Sequence, residues 1–321
     1  MRAGQRLIRG LIVVALDAVS ATASLIPWRM GVAIGGGLGT LAWYALPSAR
    51  RLAIQNLAAS LPELTDAERV RVGRVSLANL GRAAMEVLMF SRRPRTRVER
   101  WCEFDGEDRL QTALAAGQGV IFVTGHIGNW ELLAALVARR GYDASVVATP
   151  AYDERLDRRL VAARAVHGVE TIRRGSPSAA RQLLSSLRRN AVLGMLIDQD
   201  TDVDGAFVPF FGRLAHTPVG AAALALRTDA RVICGFLLRE GASRHRVLLE
   251  GPIDLIRTGD PERDVVENTA RLTRMIERHI RAHPDQWIWF HRRWKRRPDA
   301  SSPRAEERPL ASRTSAGTLR A

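Results

Sequence analysis

The sequence predicts an α/β fold, a mainly parallel sheet flanked by helices, with an N-terminal apolar helical membrane anchor in front of it. Three observations carry that reading. From Phe104 onward, short apolar runs rich in β-branched residues alternate with helix-like stretches, the pattern of strands covered on both faces by helices. Glycines and capping residues stand at the joints of the alternation. The N-terminal segment, by contrast, holds two nearly unbroken apolar runs.

The first run, Leu11 to Ile26, is interrupted by Asp17 and a few small hydroxyl residues; the second, Gly31 to Leu46, is rich in glycine. Each falls short of the ~20 residues that an upright helix needs to cross a bilayer. Arg2, Arg6 and Arg9 precede the first run and Arg50 and Arg51 follow the second, while Trp28, Trp43 and Tyr44 stand at run ends, where interfacial aromatics belong. A signal peptide cleaved after Ala21 to Ala23, a spanning anchor, a hairpin held in one leaflet and an apolar helical pair packed on the main domain all compete. Membrane attachment is the favoured reading, with the arginine-rich remainder on the cytoplasmic side; a span and a half-embedded hairpin are not separated. The organisation is therefore an anchor over 1–48, an α/β domain over 49–298 and a small, polar, disordered tail over 299–321.

Within the domain, residues 49–90 read as two helices broken near Pro62, with Thr65 or Asp66 as cap and Glu68 close behind. A basic loop, "SRRPRTR", follows. "GVIFVT" (Gly119 to Thr124) is a buried strand, and "WELLAALVARR" a helix closed by Gly141. Next come a strand "SVVAT", an arginine-rich helix from Asp153 to about His167, a short strand "VETIRR" and a helix from Ser176 to Arg189. "AVLGMLID" is a strand, Pro218 to Thr228 a helix, "RVICGFLL" and "HRVLLEG" neighbouring strands, and Pro261 to Ala282 a long helix opened by Pro-Glu.

A composition of 46% hydrophobic and 25% charged residues over 321 positions is that of a folded chain with a substantial core, which excludes a disordered or fibrous protein. Net charge is +15, from 48 basic against 33 acidic residues, and every basic residue except Lys295 is arginine. A surface of that sign favours polyanionic partners: nucleic acid, anionic headgroups or an acidic carrier protein. Cys102 and Cys234 lie far apart in the chain, so zinc and redox-dithiol spacings are excluded and buried, reduced thiols are the plain reading. Neither a metal nor a cofactor is called for.

The chemistry concentrates in "TGHIGNWELL", Thr124 to Leu133. His126 lies in the turn beyond the carboxyl end of a strand, where open α/β sheets place their sites. Asn129 is a good N-cap for the helix that starts at Trp130, and Glu131 falls in the first turn, where the helix dipole favours negative charge. Gly125 and Gly128 let the turn bring His126 and Glu131 face to face. A histidine held by a carboxylate has a fixed tautomer and can take a proton from a hydroxyl near neutral pH. The chain contains no G-x-S-x-G elbow, so the hydroxyl must come from a substrate, and transfer to it is direct. The plainer reading makes Glu131 a helix-start residue and His126 a surface loop residue.

Three ordered segments sharpen this. "GHIGNWELL", "LIDQDTDVDGAFVPFFGRLAHTPVG" and "RHIRAHPDQWIWFHRRWKRRP" together resemble the late acyltransferases of lipid A biosynthesis, a family within the wider lysophospholipid acyltransferase group. Weaker matches are "NLAASLPEL" (Asn56 to Leu64) and Glu86, so the resemblance runs from Asn56 to Pro298. It implies an enzyme of the inner membrane, facing the cytoplasm, that moves a fatty acyl group from acyl carrier protein to a hydroxyl of a lipid A precursor. Its partners would be the carrier, a glycolipid acceptor and membrane lipids, with no nucleic acid. By the same resemblance His126 is the base and Glu131 the acid that orients it, while Arg164 with Gly168, the run Asp198, Gln199 and Asp200, and Phe207 to Gly212 are family elements.

Each element also has a reading from its own chemistry. Acids at the end of the "LIDQD" strand lie at the sheet edge that holds His126, where one of them can orient Arg164 for a phosphate or an acyl oxyanion; a solvated loop is the alternative. "FVPFF" is too apolar for an ordinary exposed loop and either walls an acyl slot, touches lipid or makes a core turn. "WIWFHRRWKRR", Trp287 to Arg297, mixes tryptophans with arginines in the manner of a membrane-interface or phosphoglycolipid site, with His291 structural or phosphate-facing. Single-stranded nucleic acid would suit the same composition, but no nucleic-acid fold motif accompanies it. The expected substrate-binding set is Asn129, Arg164, Asp198, Asp200, Phe210, Arg292 and Arg293. Rival readings are transfer to another glycolipid, such as a phosphatidylinositol mannoside or an ornithine lipid, and a non-catalytic basic protein of the membrane surface.

Overall fold

The computed structural model describes residue 22 and residues 25–92, 98–151 and 153–298. Most of the Leu11 to Ile26 run, the basic loop over 93–97 and the tail from 299 lie outside the described residues.

Capping chemistry sets the helix that carries much of the rest. Thr65 and Glu68 form a reciprocal box: the Thr65 N–H and hydroxyl donate to Glu68 Oε2 at 2.8 and 2.7 Å, and the Glu68 N–H donates back to Thr65 Oγ1 at 3.3 Å. The helix so started runs Asp66–Arg92, and the Pro47–Ser60 helix precedes it across the expected break.

Seven strands form one sheet. In chain order they are β1 (Cys102–Asp105), β2 (Val120–Thr124), β3 (Ala144–Ala148), β4 (Val169–Arg173), β5 (Val192–Leu196), β8 (Arg231–Glu240) and β9 (Arg244–Glu250), and in space β1-β9-β8-β2-β5-β3-β4. All neighbours are parallel except β8 and β9, which pair antiparallel. β2 sits in the middle and is wholly buried, which accounts for its unbroken apolar sequence. The mainly parallel sheet predicted from the sequence is present. Three strands escaped that reading, β1 and the two of a hairpin outside the sheet, β6 (Gly205–Phe210) with β7 (Arg213–Pro218), as did the short Glu107–Leu114 helix. The "FVPFFG" run is the turn end of this hairpin. Its Phe210 is fully buried, so the apolar run serves the core.

The glycine-rich run folds as a helix, Trp28–Ala45, laid along the Asp66–Arg92 helix. Gly35 and Gly39 face it so closely that a methyl at either would meet the Gly81 or Leu77 carbonyl oxygen. Absence of side chains is what permits this approach, against the helix-weakening cost of glycine. The opposite face exposes Met30, Ile34, Leu38, Leu41 and Tyr44. Trp28 and Trp43, expected at a membrane interface, are instead buried: Trp28 stacks on Trp101 at 5.6 Å, and Trp43 packs against Gly73 and Leu57. Both rings find apolar partners within the fold; only Tyr44 of the three remains exposed. No helix among the described residues is long and apolar enough to cross a membrane.

Gly81→Val forces these two helices apart. It should lower stability by about 1–3 kcal/mol, the usual cost of overpacking, read as a lower midpoint in thermal unfolding; an unchanged midpoint contradicts the packing described.

Candidate active site

Carboxyl ends of β2, β5, β3 and β4 share one edge of the sheet, and the turns beyond them form a cleft of about 240 Å³. Its lining includes His126 after β2, Thr149 after β3, Arg174 after β4, and Gln199 and Thr201 after β5.

The turn after β2 is held on two sides. Gly128 has φ +63°, and a methyl there would overlap the Leu237 carbonyl oxygen within β8. Its N–H donates to the Gln286 carbonyl at 2.9 Å, and Ile127 bridges Trp287 in antiparallel fashion. Asn129 caps the next helix, Trp130–Arg139, accepting from the Leu132 N–H at 3.1 Å. Its amide donates to the buried Glu86 carboxylate at 2.9 Å. Asn129 is thus fully occupied in holding backbone, although its residue touches a neighbouring groove.

His126 pairs with Asp198. Its Nδ1 lies 2.7 Å from Asp198 Oδ1, and its backbone N–H donates to Asp198 Oδ2 at 2.7 Å. The Trp287 indole N–H donates to that same Oδ2, also at 2.7 Å. Burial pushes the Asp198 carboxyl up, but the His126 charge and these three donors outweigh it and hold it at about 2. An ionised Asp198 accepts from Nδ1–H, so the proton sits on Nδ1 and Nε2 is the ring nitrogen left for a ligand. The ring is 20% exposed and meets Trp130 edge-on at 4.8 Å.

This corrects the expected pairing of His126 with Glu131. Glu131 is gripped by Arg164, with Nε to Oε2 at 2.8 Å and Nη2 to Oε1 at 2.6 Å. Burial pulls the Arg164 guanidinium down, and the Glu131 hydrogen bonds and charge more than reverse this, for a net rise. The two acids have exchanged the partners foreseen for them. A bidentate arginine fits a carboxylate fork better than one imidazole nitrogen does, and Asp198 offers His126 both a ring contact and a backbone contact.

Trp130 and Glu131 also line a second, apolar groove of about 630 Å³ between the Asp66–Arg92 helix and the Glu154–Ala165 helix. Leu80, Ala84, Val87 and Leu88 form one wall, Leu156 and Leu160 the other. The polar cleft and the apolar groove therefore meet at the start of the Trp130–Arg139 helix.

The remaining expected binding residues are placed differently. Arg293 is fully buried, bonded to the His216 carbonyl and to Thr217 Oγ1, with its guanidinium 5.0 Å from the Phe210 ring centre. Burial lowers its pKa to about 10. Neither Arg293 nor Phe210 has a face left for substrate; both are core. Trp287 and Trp289 are also fully buried, so the aromatic cluster is an interior wall and no membrane belt. Asp200 pairs with Arg296 at 3.0 Å, anchoring the C-terminal segment. Arg292 is exposed and lines neither cavity. His291 is partly buried, and burial lowers its pKa.

Sequence reasoning assigned no role to Trp287 as a partner of the site's carboxylate, and left Glu86 as a bare match. Glu86 is completely buried beneath Asn129; Arg239 Nη2 lies 2.5 Å from its Oε2 and His245 Nε2 3.3 Å from its Oε1. Burial pushes its carboxyl up, and His245 and Arg239 bring it down to about 2. An acid within the small and apolar C-terminal part of the Asp66–Arg92 helix, well past the acids of its first turn, was the one available signal.

Residues 6–296 match the family model described as bacterial lipid A biosynthesis acyltransferase. The chain belongs to that family. It is 28% identical over 226 residues to a phosphatidylinositol mannoside acyltransferase of Mycobacterium tuberculosis, covering 68% of this chain and 69% of the relative. It is 25% identical over 282 residues to the lipid A biosynthesis palmitoleoyltransferase of Escherichia coli, covering 86% and 89%. The lauroyltransferase of the same organism is 24% identical over 277 residues, covering 85% and 88%.

Two expectations follow from the geometry. Gly128→Ala displaces the Leu237 contact and should remove at least about 90% of activity while costing stability; normal turnover in that variant refutes the role given to the turn. Glu86 carries a folded pKa of about 2 against an ordinary 4.5, so its stabilising effect is full above the ordinary value and is lost as pH falls from there toward the folded one. Glu86→Gln should flatten the fall of the unfolding midpoint across that window, measured by thermal melts at stepped pH.

Proposed function

We propose that this family member transfers a fatty acyl chain from an acyl carrier protein thioester to a hydroxyl of a glycolipid, in first place a lipid A precursor, at the cytoplasmic face of the inner membrane. The single observation that carries the reading is the His126–Asp198 pair, whose imidazole lines the polar cleft against Trp130, the residue at which that cleft meets the apolar groove.

His126 Nε2 takes the proton of the acceptor hydroxyl as its oxygen attacks the thioester carbonyl. The tetrahedral intermediate collapses with cleavage of the carbon–sulfur bond, and the imidazolium returns the proton to the leaving thiolate. An ester and a free thiol result. Asp198 stays ionised throughout, fixing the tautomer and stabilising the transient imidazolium. Arg164 is held by Glu131 through Nε and Nη2, which leaves Nη1 for the developing oxyanion. The acyl chain lies in the groove walled by Leu80, Val87, Leu156 and Leu160, and the sugar occupies the cleft. Each buried methylene is worth about 0.8 kcal/mol there.

Membrane association is part of the proposal. Met30, Ile34, Leu38 and Leu41 form an exposed apolar stripe on the Trp28–Ala45 helix, a face suited to the boundary of a bilayer. The net charge of +15 favours anionic lipid and an acidic carrier. A phosphatidylinositol mannoside-like acceptor is the second reading, supported by the 28% identity to the mycobacterial relative against 25% for the palmitoleoyltransferase.

Purified protein supplied with one acyl carrier thioester and both acceptors should acylate one of them. His126→Ala should lower that rate by about 100- to 10,000-fold, while the fold persists with a melting midpoint lowered by the loss of one partner of the buried Asp198 carboxylate. Asp198→Asn should depress kcat more than Glu131→Gln does, because only the former touches the ring. The reverse order returns the orienting role to Glu131, and near-normal turnover of His126→Ala ends the mechanism.

A further inference from the structure

Arg174 follows the last residue of β4, on the carboxyl edge that carries His126, and its side chain lines the same cleft. Unlike Arg164, it makes no ion pair among the described residues. Its Nη1 donates to Thr201 Oγ1 at a long 3.3 Å. Burial alone acts on its pKa, lowering it. A half-buried guanidinium with five donors and one weak acceptor is incompletely satisfied. The neighbouring cations show the contrast: Arg164 is neutralised by Glu131, and Arg296 by Asp200 and Asp202.

We propose that Arg174 binds a phosphate group of the substrate, with Thr201 steering its guanidinium into the cleft. The inference rests on the reading of the cleft as the acceptor and thioester site. Planar bidentate donation to a tetrahedral anion is what a guanidinium does best. Position supports it as well. β4 is three strands from β2 in the order β2-β5-β3-β4, roughly 14 Å at the spacing of hydrogen-bonded strands. From that backbone position the guanidinium reaches back to Thr201, beyond β5, so the phosphate lies inside the cleft that His126 lines. Two sources have this chemistry: the phosphate of a phosphoglycolipid acceptor, and the phosphodiester of a pantetheine-type acyl donor.

The test uses the full chain in detergent, with Arg174→Ala and Arg174→Lys. Acceptors are a phosphatidylinositol mannoside and the neutral diacylglycerol mannoside. Donors are an acyl carrier protein thioester and the matching N-acetylcysteamine thioester, which carries no phosphate. Equilibrium binding of phosphatidylinositol and of the neutral glycolipid is measured alongside. If the acceptor is the source, Arg174→Ala lowers the kcat/KM ratio of phosphorylated to neutral acceptor by about 10- to 100-fold, mostly through KM, and Arg174→Lys retains part of it. If the donor is the source, the ratio of carrier to N-acetylcysteamine thioester falls instead; both outcomes support the assignment. Equal loss with all four pairings, or no loss, overturns it. Should the wild type transfer nothing, the acyltransfer reading fails; a phosphatidylinositol preference that Arg174→Ala abolishes still upholds the phosphate site, and equal binding by both proteins removes it.

Discussion

The buried carboxylate of Asp198 is the interaction on which the catalytic edge depends. It stands two residues beyond β5, and its three hydrogen bonds tie the end of that strand to the turn after β2 and to the C-terminal segment at Trp287. A buried carboxylate without such partners would be costly or would take up a proton. With them it remains ionised, and the imidazole can be held by it in one tautomer. Trp287 is fixed in turn by Ser76, whose hydroxyl donates to its carbonyl oxygen, and by Phe210 and Phe211 against its ring. Four distant parts of the chain thus converge on one acid.

Behind the turn lies a second ionic knot. Glu86 links Asn129 to Arg239, and Gln286 closes the loop by exchanging hydrogen bonds with the Arg239 backbone. Such a network rigidifies the segments that its hydrogen bonds join. Here it fixes the start of the Trp130–Arg139 helix, the point where cleft and groove meet. Rigidity on one side contrasts with the openness of the other: the apolar groove is bounded by two helices with small residues at Ala83, Ala84 and Ala163, which leaves room for a flexible chain. A site that must accept a sugar and an alkyl chain together benefits from having a fixed polar corner beside a smooth apolar trough.

The arginine-rich character of the chain is put to several uses by this architecture. Arg293 is sealed in the core beside Asp198 and Asp200, whose charges offset its burial. Arg164 serves as a clamp on Glu131, and Arg174 is left without an acid. Composition alone treats these three as equivalent positive charges. Their partners make them a core strut, a held donor and an anion site.

By itself the sequence determined the alternation of strands and helices, the placement of His126 beyond β2, the Asn129 cap and the Thr65–Glu68 box, because these follow from periodicity and from contacts within a few residues. The three ordered motifs also carried the family, since their spacing survives without coordinates. What only the tertiary structure decided was which acid meets which base. His126 and Asp198 are 72 positions apart, as are strands β2 and β5 that hold them side by side, and Glu131 lies nearer in sequence yet pairs with Arg164. The fate of the C-terminal tryptophans was likewise settled by packing: an aromatic-basic run reads the same whether it faces lipid or core, and the Phe210 and Trp287 rings chose the core. Sequence fixes local conformation because local forces act over a few residues; charge partners are chosen by the sheet order, which is a long-range property.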